Sequence, residues 1–258
     1  MMSMLFEHRK EKILSLLLEN NTVTIHDLVI HTGVSESTLR RDLIALEEEG
    51  LLTRIHGGAT KVKNINPELK MVQKQTINHD KKVKIAQYCS TLIKPNNQVY
   101  VDAGTATLEV VRFMPTDKNI QIVTNGVDQA LLALQRGIKV TLLGGPVKQS
   151  THAIVGITAY QQLERMNFSM SFIGMNGISL ESGLTTTNLD EAALKECAMQ
   201  QSHKIRILMD DSKINQVYEF KVKAPSQAII VLNEEAKKQS PNTIEKLSDQ
   251  FDFHFIKG

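Results

Sequence analysis

Cysteine is nearly missing from this chain. Two occur among 258 residues, Cys89 and Cys197, too few for a disulfide framework. Both fall in helix-like stretches, where a small core residue is a simpler role than a ligand or a nucleophile. Long apolar runs are missing as well: none approaches the roughly 18 residues needed to span a bilayer. The first residues carry no signal-peptide pattern, and the chain holds no internal repeat or low-complexity segment. Charge of one sign is also lacking, because 30 Lys+Arg face 28 Asp+Glu for a formal +2. That balance argues against a protein that coats polyanions indiscriminately. A reducing cytoplasm fits these absences, and no metal and no cofactor are expected. The length allows a small domain and a larger one, each burying its own core.

What is present is concentrated in GVSESTLRRDLIALEEEGLLTRIHGGA, residues 33 to 59. Gly33 can take the positive φ of a sharp turn between helices. Ser35 is an N-cap candidate, and Glu36 faces the positive end of the following helix. Leu39, Leu43 and Leu46 repeat at helical spacing and predict one buried stripe. Ser35, Ser37, Thr38, Arg40 and Arg41 are left at the front on open faces, where a recognition helix touches bases. Gly50 reads as the helix stop. Upstream, Thr24 can cap a short helix, and a longer one is expected near Phe6 to Glu19. Downstream, Leu51 to Ile55 reads as a strand. His56, Gly57 and Gly58 form its turn, with Arg54 and His56 as polar tips suited to phosphate or the minor groove. Together these features predict a winged helix-turn-helix.

Charge alone does not single out this region: residues 1 to 63 hold eight Lys+Arg against nine Asp+Glu. Segment 61 to 84 differs, with seven lysines against Glu68 and Asp80, and could add nonspecific phosphate attraction or simply keep a linker soluble. The boundaries expected are a DNA-binding domain over 1–60, a linker over 61–78 interrupted by Pro67, and a second domain over 79–258. A helix follows the linker, with Val83, Ala86 and Cys89 spaced for packing.

VSESTLRRDLIALEEEGLLTRIHGGA resembles the signature of the DeoR family of bacterial transcriptional repressors, and the resemblance covers nearly all of residues 6 to 60. It joins the turn, the RRDL core, the helix end and the RIHGGA wing in one register. It implies double-stranded operator DNA as a partner.

From residue 98 onward, near-continuous apolar runs alternate with helical patterns. Strands are expected at 98–102, 120–124, 139–143, 170–174, 205–209, 228–232 and 253–256, with helices near 105–114, 127–136, 155–166, 189–202 and 241–249. That pattern predicts an α/β domain with a largely parallel sheet covered on both faces. Polar residues cluster where the strands end, which is where open α/β sheets bind ligands. In the loop after the first strand, Gly104 admits close backbone approach. Thr105 and Thr107 offer hydroxyls at a helix start that favours phosphate. Asp102 can equally cap that helix, Asn125 can form an Asx turn, and Gly144 and Gly145 can serve a turn before Pro146. Lys195 lies one turn after Glu191 and can form a surface pair with it.

Residues 75 to 235 resemble the C-terminal sensor domain of the same family, which is similar in fold to ribose-5-phosphate isomerase. The resemblance implies a phosphorylated sugar as effector, closer to lactose, tagatose or fructose phosphates than to glycerol 3-phosphate. It implies a phosphate loop at Asp102 to Thr107 and pocket loops at TNG, around Asn125, and at GGPVK, which runs from Gly144 and Gly145 to Lys148. It places Asn176 at the isomerase's active-site aspartate, Glu191 at its catalytic base and Lys213 at its substrate-binding lysine. Ile173, Asn176 and Leu184 stand where the isomerases carry two aspartates and a lysine, so acid–base machinery is lost while binding groups remain. The reading is a transcriptional repressor of a sugar-utilisation operon, a homo-oligomer (dimer or tetramer), and not an enzyme. The alternative is a sugar-phosphate isomerase-like enzyme with a regulatory N-terminal domain.

Overall fold

The computed structural model describes residues 6–20, 22–49, 51–61 and 71–257. The helix stop expected at Gly50 lies outside them, as does the stretch of the lysine-rich run containing Lys63, Pro67, Glu68 and Lys70. The chain divides into two compact units, Met1–Asn64 and Ile65–Gly258. Among the described residues, no helix is long and apolar enough to cross a membrane.

The first unit runs α1 (Phe6–Asn20), β1 (Thr22–Thr24), α2 (Ile25–Thr32), α3 (Glu36–Glu48), β2 (Leu52–Ile55) and β3 (Gly58–Lys61). Thr24 closes a full capping box with Asp27 at the start of α2. Gly33 ends α2 at φ 68°, a conformation that favours glycine. Ser35 caps α3, accepting from the Thr38 amide. Leu39, Leu43 and Leu46 are buried with Ile13, Leu17 and Leu28 in one core. The strands form an antiparallel sheet in the order β1-β3-β2. β1 escaped the sequence reading because three residues are too few for a period-2 pattern to register. Asp42 joins the buried leucine stripe, where it holds Arg9 of α1 through two hydrogen bonds of 2.6 and 2.9 Å. That bidentate pair fixes α3 on α1.

The second unit opens with α4 (Met71–Thr76) and α5 (His79–Thr91). Residues 71 to 78 are therefore part of this unit, which corrects the linker expected over 61–78: a six-residue helix is too short to show periodicity. The buried stripe of α5 is also shifted. Lys82, Ile85, Ala86 and Cys89 face inward, and Val83 is half-buried.

The core of the unit is a seven-stranded parallel sheet in the order β15-β14-β12-β9-β4-β5-β6. It is built as β4 (Gln98–Val101), α6 (Thr105–Phe113), β5 (Gln121–Thr124), α7 (Val127–Gln135) and β6 (Lys139–Leu142). A hairpin, β7 (Val147–Lys148) and β8 (Ala153–Ile154), leads to α8 (Ile157–Leu163) and β9 (Met170–Gly174). Next come β10 (Gly177–Ser179), β11 (Gly183–Thr186), α9 (Leu189–Gln200), β12 (Ile205–Leu208) and β13 (Phe220–Val222). The chain closes with β14 (Ala228–Asn233), α10 (Glu235–Gln239), α11 (Pro241–Leu247) and β15 (Asp252–Ile256). All seven sheet strands fall where the apolar runs placed them. β10, β11 and β13 form a separate antiparallel sheet, hidden in the sequence because each strand is only three or four residues long.

Alternation along β4 supplies both cores. Tyr100 points into one hydrophobic cluster, and Val99 and Val101 into the other. Cys197 belongs to the first and Cys89 to the second. Burial pushes the Cys89 thiol up to about 12 and the Cys197 thiol up to about 11, which leaves both as inert apolar fillers. The chain leaves β4 toward β5 and β6 on one side and later returns to place β9 on the other. The strand order therefore reverses between β4 and β9, which in such sheets opens a crevice at the carboxyl ends.

Candidate functional site

Two surfaces carry the candidate chemistry. The first lies in the N-terminal unit, where Arg40, Arg54, His56, Gly57, Gly58, Ile25, Leu43 and Ile55 line a hollow beside α3 and the wing. Arg40 pairs with Glu36 one turn earlier. Arg54 is held twice by Glu47, which accepts from its backbone amide at 2.8 Å and from Nε at 2.7 Å. That hydrogen bonding keeps the Glu47 carboxyl below its ordinary range. Arg41 is exposed and has no ion pair among the described residues. The hydroxyls of Ser37 and Thr38 each lie 3.0 Å from that of Ser35, so these three groups form one polar knot at the front of α3. Gly57 sits at φ 83° in the turn, as a tight wing requires. Gly58 is buried, and a Cβ there would come 2.1 Å from the Val23 carbonyl oxygen. It packs between β3 and β1, where any side chain would clash, while its backbone lines the hollow.

Glu47 was not singled out from sequence. With its two bonds, it leaves the terminal amines of Arg54 free to point outward. Replacing Glu47 with alanine removes a negative charge, so binding to scrambled DNA should strengthen slightly. Binding to an operator should weaken roughly tenfold as Arg54 loses its orientation. Retardation assays on both DNAs at one salt concentration check the opposite signs.

The second surface lies at the β4–β9 switch point. Gly104, Thr105, Asn176, Glu191, Lys195 and Lys213 all line one pocket, together with Lys82, Thr151 and Asp210. Asp102 lies beneath it, buried and paired with the buried Lys195. The same carboxylate oxygen, Oδ2, also accepts from the Gly174 amide at 3.0 Å. Burial drives the Asp102 carboxyl upward, against the pull of the Lys195 ammonium. Asp102 is thus no helix cap, since Gly104 holds that position. Lys195 likewise makes no surface pair with Glu191. The partner of Glu191 is Lys148 at 3.2 Å, and Thr151 donates to it at 3.0 Å. Asn176 accepts from Thr186 at 2.8 Å.

Four sequence candidates brace the frame around the pocket. Thr107 is buried and donates to the Asp102 carbonyl at 2.6 Å. Asn125 accepts from Tyr100 and from the Ala103 amide, bracing the loop from below. Gly144 is held by Gln162 at 3.0 Å, and Gly145 at φ 148° packs against the Val155 carbonyl. None of these four residues lines the pocket. Lys82 and Thr151 were missed, because Lys82 looked like linker charge and Thr151 sits in a turn without a sequence signal, whereas Lys148 ends the GGPVK segment expected as a pocket loop.

The electrostatics of the pocket are uneven. Asp102–Lys195 and Glu191–Lys148 neutralise each other. The same pocket is lined by Gly104 and Thr105 at the start of α6, whose first-turn amides lack intrahelical partners by helix geometry. Lys82, buried at 4% exposure, and Lys213 line it too. An oxyanion suits these amides and cations, and a hydroxyl-rich body suits the paired groups.

A winged helix-turn-helix followed by an α/β unit with a switch-point pocket is the layout of a DNA-binding regulator. Family models agree: the DeoR-like helix-turn-helix domain matches residues 9–64, and the DeoR C terminal sensor domain matches residues 77–234. The chain belongs to the DeoR family and is a transcriptional regulator. The HTH-type transcriptional regulator FruR of Bacillus subtilis is 40% identical, over 83% of this chain and 85% of that one. The lactose phosphotransferase system repressor of Lactococcus lactis is 31% identical, over 81% and 83%. Among solved structures, a ribose 5-phosphate isomerase A from Methanocaldococcus jannaschii aligns with a TM-score of 0.40 and 15% identity, over 53% of this chain and 55% of that one. That likeness is too distant to carry chemistry across.

Proposed function

We propose that this regulator is a repressor of a sugar-utilisation operon, and that a phosphorylated sugar bound at the β4–β9 switch point controls it. The observation that carries the reading is the set of groups in one pocket: Lys82 and Lys213, with no ion pair among the described residues, the start of α6, and Lys195 and Glu191, each paired within the protein. The phosphate would lie over Gly104 and Thr105, reached by Lys82 and Lys213. The sugar hydroxyls would meet Glu191, Asn176 and Thr151, with Asp102 and Lys195 as the floor. The relative that is a lactose phosphotransferase system repressor supports a sugar-linked role. In the head, Arg41 and the front of α3 would read the major groove, and Arg54 with His56 and Gly57 would meet the backbone. Repeated half-sites call for a homo-oligomer. A cytoplasmic setting, where operator and sugar phosphates coexist, follows.

The test is a melting-temperature screen against ribose 5-phosphate, fructose 1-phosphate, fructose 6-phosphate and tagatose 6-phosphate. A true effector at 100 times its Kd stabilises by about 2.7 kcal/mol, and free sugars should do nothing. If no panel member moves the melting and the chain ignores its operator, the reading is wrong. The enzyme alternative has a specific obstacle: the Glu191 carboxylate already accepts from Lys148 and Thr151, a poor arrangement for a free base. Isomerisation of ribose 5-phosphate that Glu191→Gln abolishes would nonetheless restore that alternative.

A further inference from the structure

Helix α4 is fastened by the amine of Lys82, a residue that also lines the pocket. Lys82 Nζ donates to the carbonyl of Lys74 and, at 2.7 Å, to that of Ile77. These carbonyls lie at the C-terminal end of α4, where helix geometry leaves acceptors without intrahelical donors. An ammonium has three donors, so two hold α4 and one remains toward the pocket. Asp210 lies nearby and attracts the ammonium, although Asn78 at 2.8 Å and Ser212 occupy its Oδ1. Burial outweighs that attraction and, with Lys213 and Lys74 close by, pushes Lys82 down to about 8.

A second fastening joins the same parts. Lys81 reaches both carboxylate oxygens of Asp211 at 2.7 Å. The corner between α4 and α5 is thereby tied to the turn over 210–213, the turn that brings Lys213 to the pocket. Residue 71 begins α4, and the chain N-terminal to it leads back to the DNA-binding head.

We propose that Lys82 is an effector-operated latch. An anion seated on the α6 amides draws the ammonium off the Lys74 and Ile77 carbonyls and so releases α4. This inference rests on the sugar-phosphate reading above. The driving force is an exchange of acceptors. Hydrogen bonds from an ammonium to a charged phosphate oxygen are stronger than those to neutral carbonyls. The ligand therefore binds the released state better and shifts the population toward it.

Hydrogen–deuterium exchange on the full-length protein tests this, with each sugar phosphate of the panel as probe and melting measured alongside. The expected result is that a probe that raises the melting temperature speeds exchange over residues 71–78 roughly tenfold while protecting residues 103–107. Lys82→Met should show fast exchange at 71–78 without any probe. Its operator affinity should match that of probe-bound wild type and no longer respond to probe. If a probe raises the melting temperature but exchange at 71–78 stays unchanged, the latch is overturned and the effector site stands. If Lys82→Met keeps a normal operator response, the latch is likewise overturned. If no probe raises the melting temperature, both the effector reading and the latch are lost.

Discussion

Replacing Lys195 with methionine should destabilise the sensor unit by about 3 kcal/mol or more at neutral pH, the cost of leaving a buried charge without its partner. Asp102 is 1% exposed, and once the ammonium is gone only the Gly174 amide remains on its carboxylate. The sign of the pH dependence follows from the direction of the shift. Burial already raises the Asp102 carboxyl, and loss of Lys195 raises it further. The folded variant then holds a proton that the unfolded chain releases above about 3.9, so its deficit shrinks as pH falls through the raised folded value. Adding Asp102→Asn to the variant should recover much of the loss at neutral pH, because a neutral amide replaces the stranded charge. Denaturant unfolding at several pH values measures all three proteins. A deficit under about 1 kcal/mol, or one that does not change with pH, would mean that water reaches the pair.

Arg41→Ala should cause the largest loss of operator affinity of any single change in the head, about 1–3 kcal/mol. The reason is structural. Arg40 shares its charge with Glu36 and Arg54 with Glu47, whereas Arg41 stands exposed on α3 with no ion pair among the described residues. A salt titration distinguishes the kind of contact. If Arg41 meets a phosphate, the slope of log affinity against log salt falls by about 0.9 and all sequences suffer alike. If it meets a base, the slope holds and discrimination at one operator position relaxes. Operator affinity unchanged at fixed salt would remove α3 as the reading element and favour a head that recruits protein.

Much of the head was legible because its signals are local. Gly33 needs its positive φ, Ser35 its capping geometry, and three leucines their one-face spacing, and each depends only on neighbours within two turns. The sheet was legible for a related reason: strands buried on both faces must be apolar throughout, and helices between them must alternate. Residues without a local signal were misplaced. Lys82 looked like solvent charge because composition does not report burial. Lys195 looked like the partner of Glu191 because helical spacing permits that pair, yet the fold brings Asp102 to it from 93 residues away. Gly58, Thr107, Asn125, Gly144 and Gly145 have residue types that suit ligand contacts, and the structure shows them packing and bracing, a role that composition does not report.

The amino-acid order alone determined that a groove-reading head precedes an α/β domain with polar strand ends, because caps, turns and hydrophobic periods act over a few residues. Only tertiary structure decided which charges cancel and which stay open. Asp102 with Lys195, Glu191 with Lys148, and Arg54 with Glu47 each join different elements, and a charge is neutralised by what lies within a few ångströms in space, whatever its distance along the chain.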